Sequence, residues 1–232
     1  MQLITPSLFQ ISLGPVNAFV VEDDGLTLID TGYQNSLDKI FAAIRKAGRQ
    51  PDDIRRIVLT HTHPDHAGSA AAIQRRLGVP IFAHAADAPL LESGVAGRLP
   101  HHLSPGLLNW VLFNAVIKRS ENVVEAAPVQ VKLADGDVIP GAKGMRVVHT
   151  PGHSAGHIAL QVPAEGVLIV GDLCANMVGL GFSIVYEDRA LGLASIRKVA
   201  ALDFDQAVFG HGKPLTKNAK EKLQKAFEKY GT

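Results

Sequence analysis

The sequence predicts an α/β fold in which two β-sheets pack face to face with helices on their outer sides. Three observations carry this. Short β-type runs bounded by Gly, Pro and Asp recur over residues 8–84 and again from about residue 128. Amphipathic helical segments follow the strands in both halves. A chain of 232 residues that is 47% hydrophobic can bury one large core. No shift in composition forces a division, so residues 1–232 are read as a single domain carrying an apolar helical insertion around 100–120.

In the first half, strands are expected at 8–12, 18–22, 26–30, 57–60 and 81–84. Ser36 can cap a helix whose Leu37, Ile40, Phe41 and Ile44 repeat at helical spacing before Gly48 ends it. A second helix is expected over 67–77, closed by Gly78. In the second half, strands are expected at 129–133, 137–139, 145–149, 157–162, 167–171 and 207–210, with helices near 191–202 and 216–230. The two halves share an architecture, not a repeated sequence.

Charge narrows the range of partners. Lys plus Arg number 23 against 22 Asp plus Glu, a net charge of +1 with no long block of either sign, so no nucleic-acid partner is expected. A single cysteine, Cys174, allows neither an intramolecular disulfide nor a thiolate-rich zinc site. Any metal must therefore be held by imidazole and carboxylate. Residues 1–6 lack the basic start and apolar run of a signal peptide, which makes a cytoplasmic location the expectation.

The densest chemistry is Thr60-His61-Thr62-His63-Pro64-Asp65-His66, directly after the apolar Ile57-Val58-Leu59. In extended chain, alternate side chains share a side, so His61 and His63 point together. A turn at Pro64 lets Asp65 and His66 face a neighbouring point, and one cluster can then serve two adjacent metal ions. Four further segments place a candidate ligand or polar residue just past a β-type run: His149-Thr150-Pro151-Gly152-His153, Gly171-Asp172, Gly210-His211 and Asp30-Thr31-Gly32.

This order of motifs resembles the metallo-β-lactamase-fold hydrolase superfamily over nearly the whole chain, in particular its dinuclear branch with glyoxalase II and the lactonases. The resemblance implies an αββα sandwich of two mixed sheets with a dinuclear site at one sheet edge. Carried over by position, His61, His63 and His153 would hold the first metal; Asp65, His66 and His211 the second; Asp172 would bridge them. Two divalent ions are implied, zinc foremost, with iron or manganese as alternatives. Asp172 and Asp65 are the carboxylates given catalytic weight. Asp172 would set the metal separation, while Asp65 could pass a proton only where a metal leaves it free. Asp30 matches the superfamily's Asp-x-Gly element and is expected to orient a ligand or the His-rich loop.

Other polar residues receive lesser expectations. His84 and His157 are candidates to support ligands from behind, and His101 and His102 lie in a segment that could reach substrate. Cys174 reads as a small buried residue. Tyr186 is a candidate donor to a developing oxyanion. Residues 103–117 hold the only tryptophan and are too short to span a bilayer of roughly 30 Å. As a helix they carry one stripe of Leu107, Leu108, Val111, Leu112 and Val116 and another of Trp110, Phe113 and Ile117. One face is expected on the domain. The other is left for the metal site, an acyl or aromatic substrate, or a second copy in a homodimer.

The activity implied is hydrolysis of an ester, thioester, lactone or amide bond in a small molecule by metal-bound hydroxide. Within the superfamily, hydroxyacylglutathione hydrolases add a C-terminal helical region with basic groups for the glutathione tail, whereas about one helix follows His211 here. Lactonases often place a Tyr shortly after the bridging Asp, where this chain has Ala175. Class B β-lactamases generally lack an Asp at the place of Asp172. The alternatives are a phosphodiesterase, disfavoured by the balanced charge, and a mononuclear iron persulfide dioxygenase, separated by metal content and oxygen uptake.

Overall fold

Strands that are apolar on both faces need a cover on each, and the alternation of their side chains shows where the covers lie. In the computed structural model, which describes residues 1–115, 117–119 and 121–230, seven strands form the first sheet. Their order is Gln2–Leu3, Leu8–Ser12, Asn17–Glu22, Leu26–Ile29, Ile54–Val58, Ile81–His84 and Val131–Leu133. The second sheet has four strands in the order Gln206–Val208, Val167–Ile169, Ile158–Val162 and Arg146–His149. Phe19 and Val21 face a core shared with Ile158, Leu160, Val162, Val167 and Ile169 of the second sheet. Ala18 and Val20, one residue out of phase, face Ile40, Phe41 and Ile44 of the Leu37–Lys46 helix. On the far side, Ala159 and Leu168 meet Ile196 and Val199 of the Arg189–Ala200 helix and Leu223 of the Ala219–Phe227 helix. The layers thus run helix, sheet, sheet, helix, the α/β sandwich expected from the sequence.

Strand direction determines where the connecting loops emerge. The strands Leu26–Ile29, Ile54–Val58, Ile81–His84 and Val131–Leu133 run parallel. In the second sheet Val167–Ile169 and Gln206–Val208 are parallel, and Arg146–His149 shares their direction because Ile158–Val162 is antiparallel to its neighbours on both sides. The loops leaving the C-terminal ends of these strands therefore have a common edge to meet at.

Where the structure differs from the sequence expectation, side-chain bonds explain much of it. The strand expected at 57–60 lies at Ile54–Val58, and Thr60 N donates to Asp30 Oδ1 at 2.8 Å, outside the ladder. The helix expected at 67–77 begins earlier and is broken into Pro64–Ala67 and Ala70–Leu77, because Ser69 turns aside to donate its Oγ to the Tyr33 carbonyl. Ser36 makes no side-chain cap; its N–H donates to Ser69 Oγ instead. Residues 137–139 contribute only an isolated bridge, Val138 to Arg146. The Ala88–Ser93 helix and the pairing of Cys174–Asn176 with Leu180–Phe182 were not foreseen.

The apolar segment does form a helix, Leu107–Ala115. None of its described side chains is buried, and Leu107 and Trp110 stand 78% and 56% exposed. Leu112 of the first stripe and Phe113 and Ile117 of the second are half-buried, and the side chain of Leu108 and residue Val116 lie outside the described part. Among the described residues no helix is long and apolar enough to cross a membrane.

The inter-sheet core should govern stability. Replacing the fully buried Phe19 by Ala is expected to lower unfolding free energy by about 3–5 kcal/mol, read from urea or guanidinium midpoints.

Candidate metal centre

All seven residues proposed from sequence as ligands meet at the common sheet edge. Their donor atoms form three overlapping groups, each within 4.8 Å: His61, His63 and His153; His61, His66 and Asp172; Asp65, His66 and His211. His61 and His63 leave the Ile54–Val58 strand in extended chain, and Pro64 opens the short helix that carries Asp65 and His66. His153, Asp172 and His211 follow the second-sheet strands Arg146–His149, Val167–Ile169 and Gln206–Val208.

Hydrogen bonds on the outer side of four of the five rings decide which nitrogen faces inward. Thr60 Oγ1 gives its one proton to Asp30 Oδ2 at 2.7 Å, so at 3.0 Å it can only accept from His61 Nδ1. His61 Nε2 then carries a bare lone pair. His153 Nδ1 donates to the Val185 carbonyl at 2.9 Å, His211 Nδ1 to the Pro15 carbonyl at 2.8 Å and His66 Nδ1 to Asp30 Oδ2 at 2.8 Å. In each neutral ring that leaves Nε2 as an acceptor aimed at the cluster.

The inward nitrogens are crowded. His153 Nε2 lies 3.2 Å from His61 Nε2 and 3.0 Å from His63 Nδ1. At least one such pair sets lone pair against lone pair, an arrangement that is repulsive unless a cation lies between. His66 Nε2 and Asp172 Oδ1 are buried without a hydrogen bond, 3.4 Å apart. Asp172 reaches across the cluster, its Oδ2 at 3.1 Å from His211 Nε2 and 3.8 Å from His153 Nε2. Asp65 Oδ2 is 3.1 Å from His211 Nε2. Convergent imidazole and carboxylate donors with no thiolate fit a divalent metal of the zinc, iron or manganese kind.

Titration separates the two ends. Burial holds the His61 and His153 rings well below the usual histidine value, and neighbouring histidines push further the same way. Burial likewise takes His63 down to about 4. His66 and His211 go the other way: burial opposes charge, but the Asp172 and Asp65 carboxylates around them raise both well above the usual value. Asp65 and Asp172 are correspondingly held low; burial alone would raise them, and His66 and His211 outweigh it. One end is thus neutral and acceptor-rich. At the other, protons take the place a cation would fill.

Supporting groups hold the donors in place. Asp30 sits buried at φ 57, a left-handed conformation costly for a non-glycine residue. It agrees with the orienting role expected from its motif. His157 Nε2 accepts from Asp172 N at 3.0 Å, and Ser183 Oγ donates to the Asp172 carbonyl, so both fix the backbone of that residue. His84 stacks on His149 at 3.9 Å and has no contact with the donors. Sequence reasoning missed Asp87. Fully buried, it accepts from Ser154 Oγ at 2.6 Å, Gly156 N at 2.9 Å and Arg98 Nη1 at 2.8 Å, clamping the turn that carries His153. Glu187 joins the clamp by accepting from Ala155 N at 2.7 Å.

Tyr186 does not serve as a free donor. Its ring is buried and its hydroxyl donates to the Leu173 carbonyl at 2.6 Å while accepting from Ser183 N at 3.1 Å. The partly exposed Tyr33 is pushed up to about 12 by burial and by the Asp65 and Asp172 carboxylates, so it keeps its proton at neutral pH. Cys174 is buried and reduced, as expected for a small packing residue.

Comparison with known proteins extends this picture. The family profile described as the metallo-beta-lactamase superfamily matches residues 11–211. The probable metallo-hydrolase YqjP of Bacillus subtilis is 26% identical over an alignment covering 94% of this chain and 73% of that protein. A hydroxyacylglutathione hydrolase of Cereibacter sphaeroides is 28% identical over 80% of this chain, which spans only 57% of that longer protein. Among solved structures, a metallo-beta-lactamase family protein from Thermus thermophilus superposes with a TM-score of 0.72 at 24% identity, covering 98% of this chain and 80% of that one. The subclass B3 metallo-beta-lactamase BJP-1 of Bradyrhizobium japonicum gives 0.71 at 22% identity, covering 99% and 91%. At those identities the structural likeness speaks for the fold alone.

The geometry makes metal binding dependent on pH. A raised histidine pKa means a proton is bound at pH 7 and must be displaced, and a lowered one means there is none. Loading metal into the metal-free protein at pH 7 should therefore release protons from the His66–His211 end and none from the His61–His63–His153 end. On acidification the Asp65–His66–His211 end should surrender its metal first, as measured by proton release and by chelator competition between about pH 8 and 5. Asp30→Asn should weaken metal affinity about 10–100-fold, read by the same competition, because one carboxylate orients His66 and, through Thr60, His61.

Proposed function

The chain belongs to the metallo-beta-lactamase superfamily, and on that premise we propose that it hydrolyses an ester, thioester, lactone or amide bond of a small molecule at a dinuclear, zinc-type centre. Metal-dependent hydrolysis in general accords with the relatives; the bond type, the metal count and the ligand roles are our reading. The observation that carries it is Asp172, whose Oδ2 lies between His211 Nε2 at 3.1 Å and His153 Nε2 at 3.8 Å, one from each end of the donor cluster, while its Oδ1 stands 3.4 Å from His66 Nε2.

In this reading His61, His63 and His153 hold one ion, Asp65, His66 and His211 the other, and Asp172 lies between. Divalent ions held there would supply Lewis acidity, lowering the pKa of water toward about 7 and polarising a carbonyl oxygen. The chain does the positioning. His157 and Ser183 keep the Asp172 backbone in place, so the separation of the two ends cannot relax easily. Asp30 fixes His66 from behind, and the Asp87 clamp fixes the turn of His153. Asp65 is already engaged by His66 and His211, which makes it a ligand before it is a proton carrier.

The test is a panel of esters, thioesters, lactones, β-lactams and phosphodiesters presented to the as-purified protein, with elemental analysis alongside. Two metals per chain and turnover of an acyl compound are expected. A single iron with oxygen uptake, or turnover confined to phosphodiesters, would replace this reading. Asp172→Ala should keep the native far-UV circular dichroism and lose turnover; wild-type rates in that variant would reject the mechanism.

A further inference from the structure

Beside the donor cluster lies a cavity of about 850 Å³ that no feature of the metal centre accounts for. Its walls come from three distant stretches: Leu103 and Pro105 of the insertion, Phe182 and Leu193 of the second half, and Tyr230 near the C-terminus. Phe182 packs against Tyr230 with ring centroids 4.8 Å apart and edge-on against Phe227 at 5.1 Å, giving a continuous aromatic floor. The cavity adjoins the metal centre at one end. His101 lines it there, with its ring centroid 5.4 Å from that of His63 and its Nε2 buried without a hydrogen-bond partner. Glu187, on the same wall, accepts from Arg98 N and donates its own N–H to the His153 carbonyl, so the wall and the His153 turn are one piece.

The polar groups around it are largely committed. Glu187 is taken by Arg98 N and Ala155 N, and Asp188 caps the Arg189–Ala200 helix through Leu191 N. Arg189 lines the cavity and stands exposed. The floor therefore selects for uncharged apolar surface. A volume of this size, in which apolar side chains share the wall with His101, His102, Glu187, Asp188 and Arg189, has the usual make-up of a small-molecule subsite.

We propose that this cavity holds the uncharged apolar part of the substrate, a medium-length acyl chain or an aryl group, with the scissile carbonyl beyond His101 at the metal centre. This rests on the hydrolase reading and adds the substrate class to it. Leu103 and Pro105 place the start of the insertion in the wall, so the insertion shapes the subsite from its base; the exposed Trp110 is not part of it.

The test uses two series on the full chain. Ethyl esters from acetate to decanoate are followed by pH-stat with the zinc-loaded protein. Alkyl methyl ketones from 2-butanone to 2-decanone, which cannot be hydrolysed, are titrated calorimetrically into both metal-free and zinc-loaded protein. Each buried methylene should raise kcat/KM and ketone affinity by up to about fourfold until the cavity is filled. Leu193→Gln and Tyr230→Ser should flatten both slopes, and Tyr230, 41% exposed, is a site where folding tolerates the change. Unchanged slopes in both variants, or flat slopes in the wild type with esters still hydrolysed, would overturn the subsite and leave the hydrolase reading standing. Chain-length-dependent ketone binding that both variants lose, in a protein that turns over no ester, thioester, lactone or amide of the panel, would keep the subsite and overturn the hydrolase reading.

Discussion

The site depends on bonds made on its outer side. An imidazole has two nitrogens, and fixing a proton on one bares the other. Asp30 does this for two rings at once: directly for His66, and through the Thr60 hydroxyl for His61. Main-chain carbonyls of Val185 and Pro15 do the same for His153 and His211. At the His61–His153 end these bonds turn acceptors toward a buried centre where acceptors crowd to 3.0–3.2 Å, and at the other end they turn Nε2 of His66 and His211 toward the carboxylates. The fold thus holds an electrostatic repulsion that cations relieve. Asp30 itself is held at φ 57, a conformation that persists only where the surroundings determine it.

The scaffold makes this convergence possible with little extra chain. Strands from two sheets end at one edge, so short loops suffice to bring donors from residues 61 and 211 within reach of one another. A buried sheet-on-sheet core carries the rigidity, and the loops inherit it through side-chain bonds such as Asp87 to Ser154 and Gly156. The clearance is small: a Cβ on Gly156 would come within 2.5 Å of the Asp87 carboxyl, and one on Gly210 within 2.0 Å of Asp172 Oδ1. Glycine at these two positions permits close approach of backbone to carboxylate.

The layering was legible in the sequence because strands followed by helices recur in both halves, and continuous apolar runs such as 18–21 and 158–160 leave both faces of a strand to be covered. The His-rich loop was legible because its chemistry is compressed into seven residues. What escaped has a common cause. The partners of His153 and His211 are carbonyls of Val185 and Pro15, and a carbonyl leaves no trace in residue identity. Asp87 sits in a plain Ala-Ala-Asp-Ala run and is meaningful only beside a turn 67 residues away. Tyr186 was named as a candidate oxyanion donor for its residue type, yet residue type does not give direction, and its hydroxyl faces the main chain. The break at Ser69 turns on a tertiary bond to Tyr33, which local helix propensity cannot contain.

The two ends of the cluster differ in more than ligand type. His61, His63 and His153 are buried, their protons excluded, and the apolar cavity adjoins them through His101 and Glu187. Asp65 and His211 keep about a fifth of their side-chain surface exposed and lie at the carboxylate-rich end. Solvent therefore has its access on one side and apolar substrate on the other. In the proposed reaction that asymmetry gives a direction: water arrives at the Asp65–His211 end, where negative charge favours cations and proton exchange. The acyl or aryl group is held at the neutral end, where desolvating it costs least. Asp172 spans the two, so its position sets how far water and carbonyl carbon stand apart, which is why its backbone is tied twice, to His157 and to Ser183.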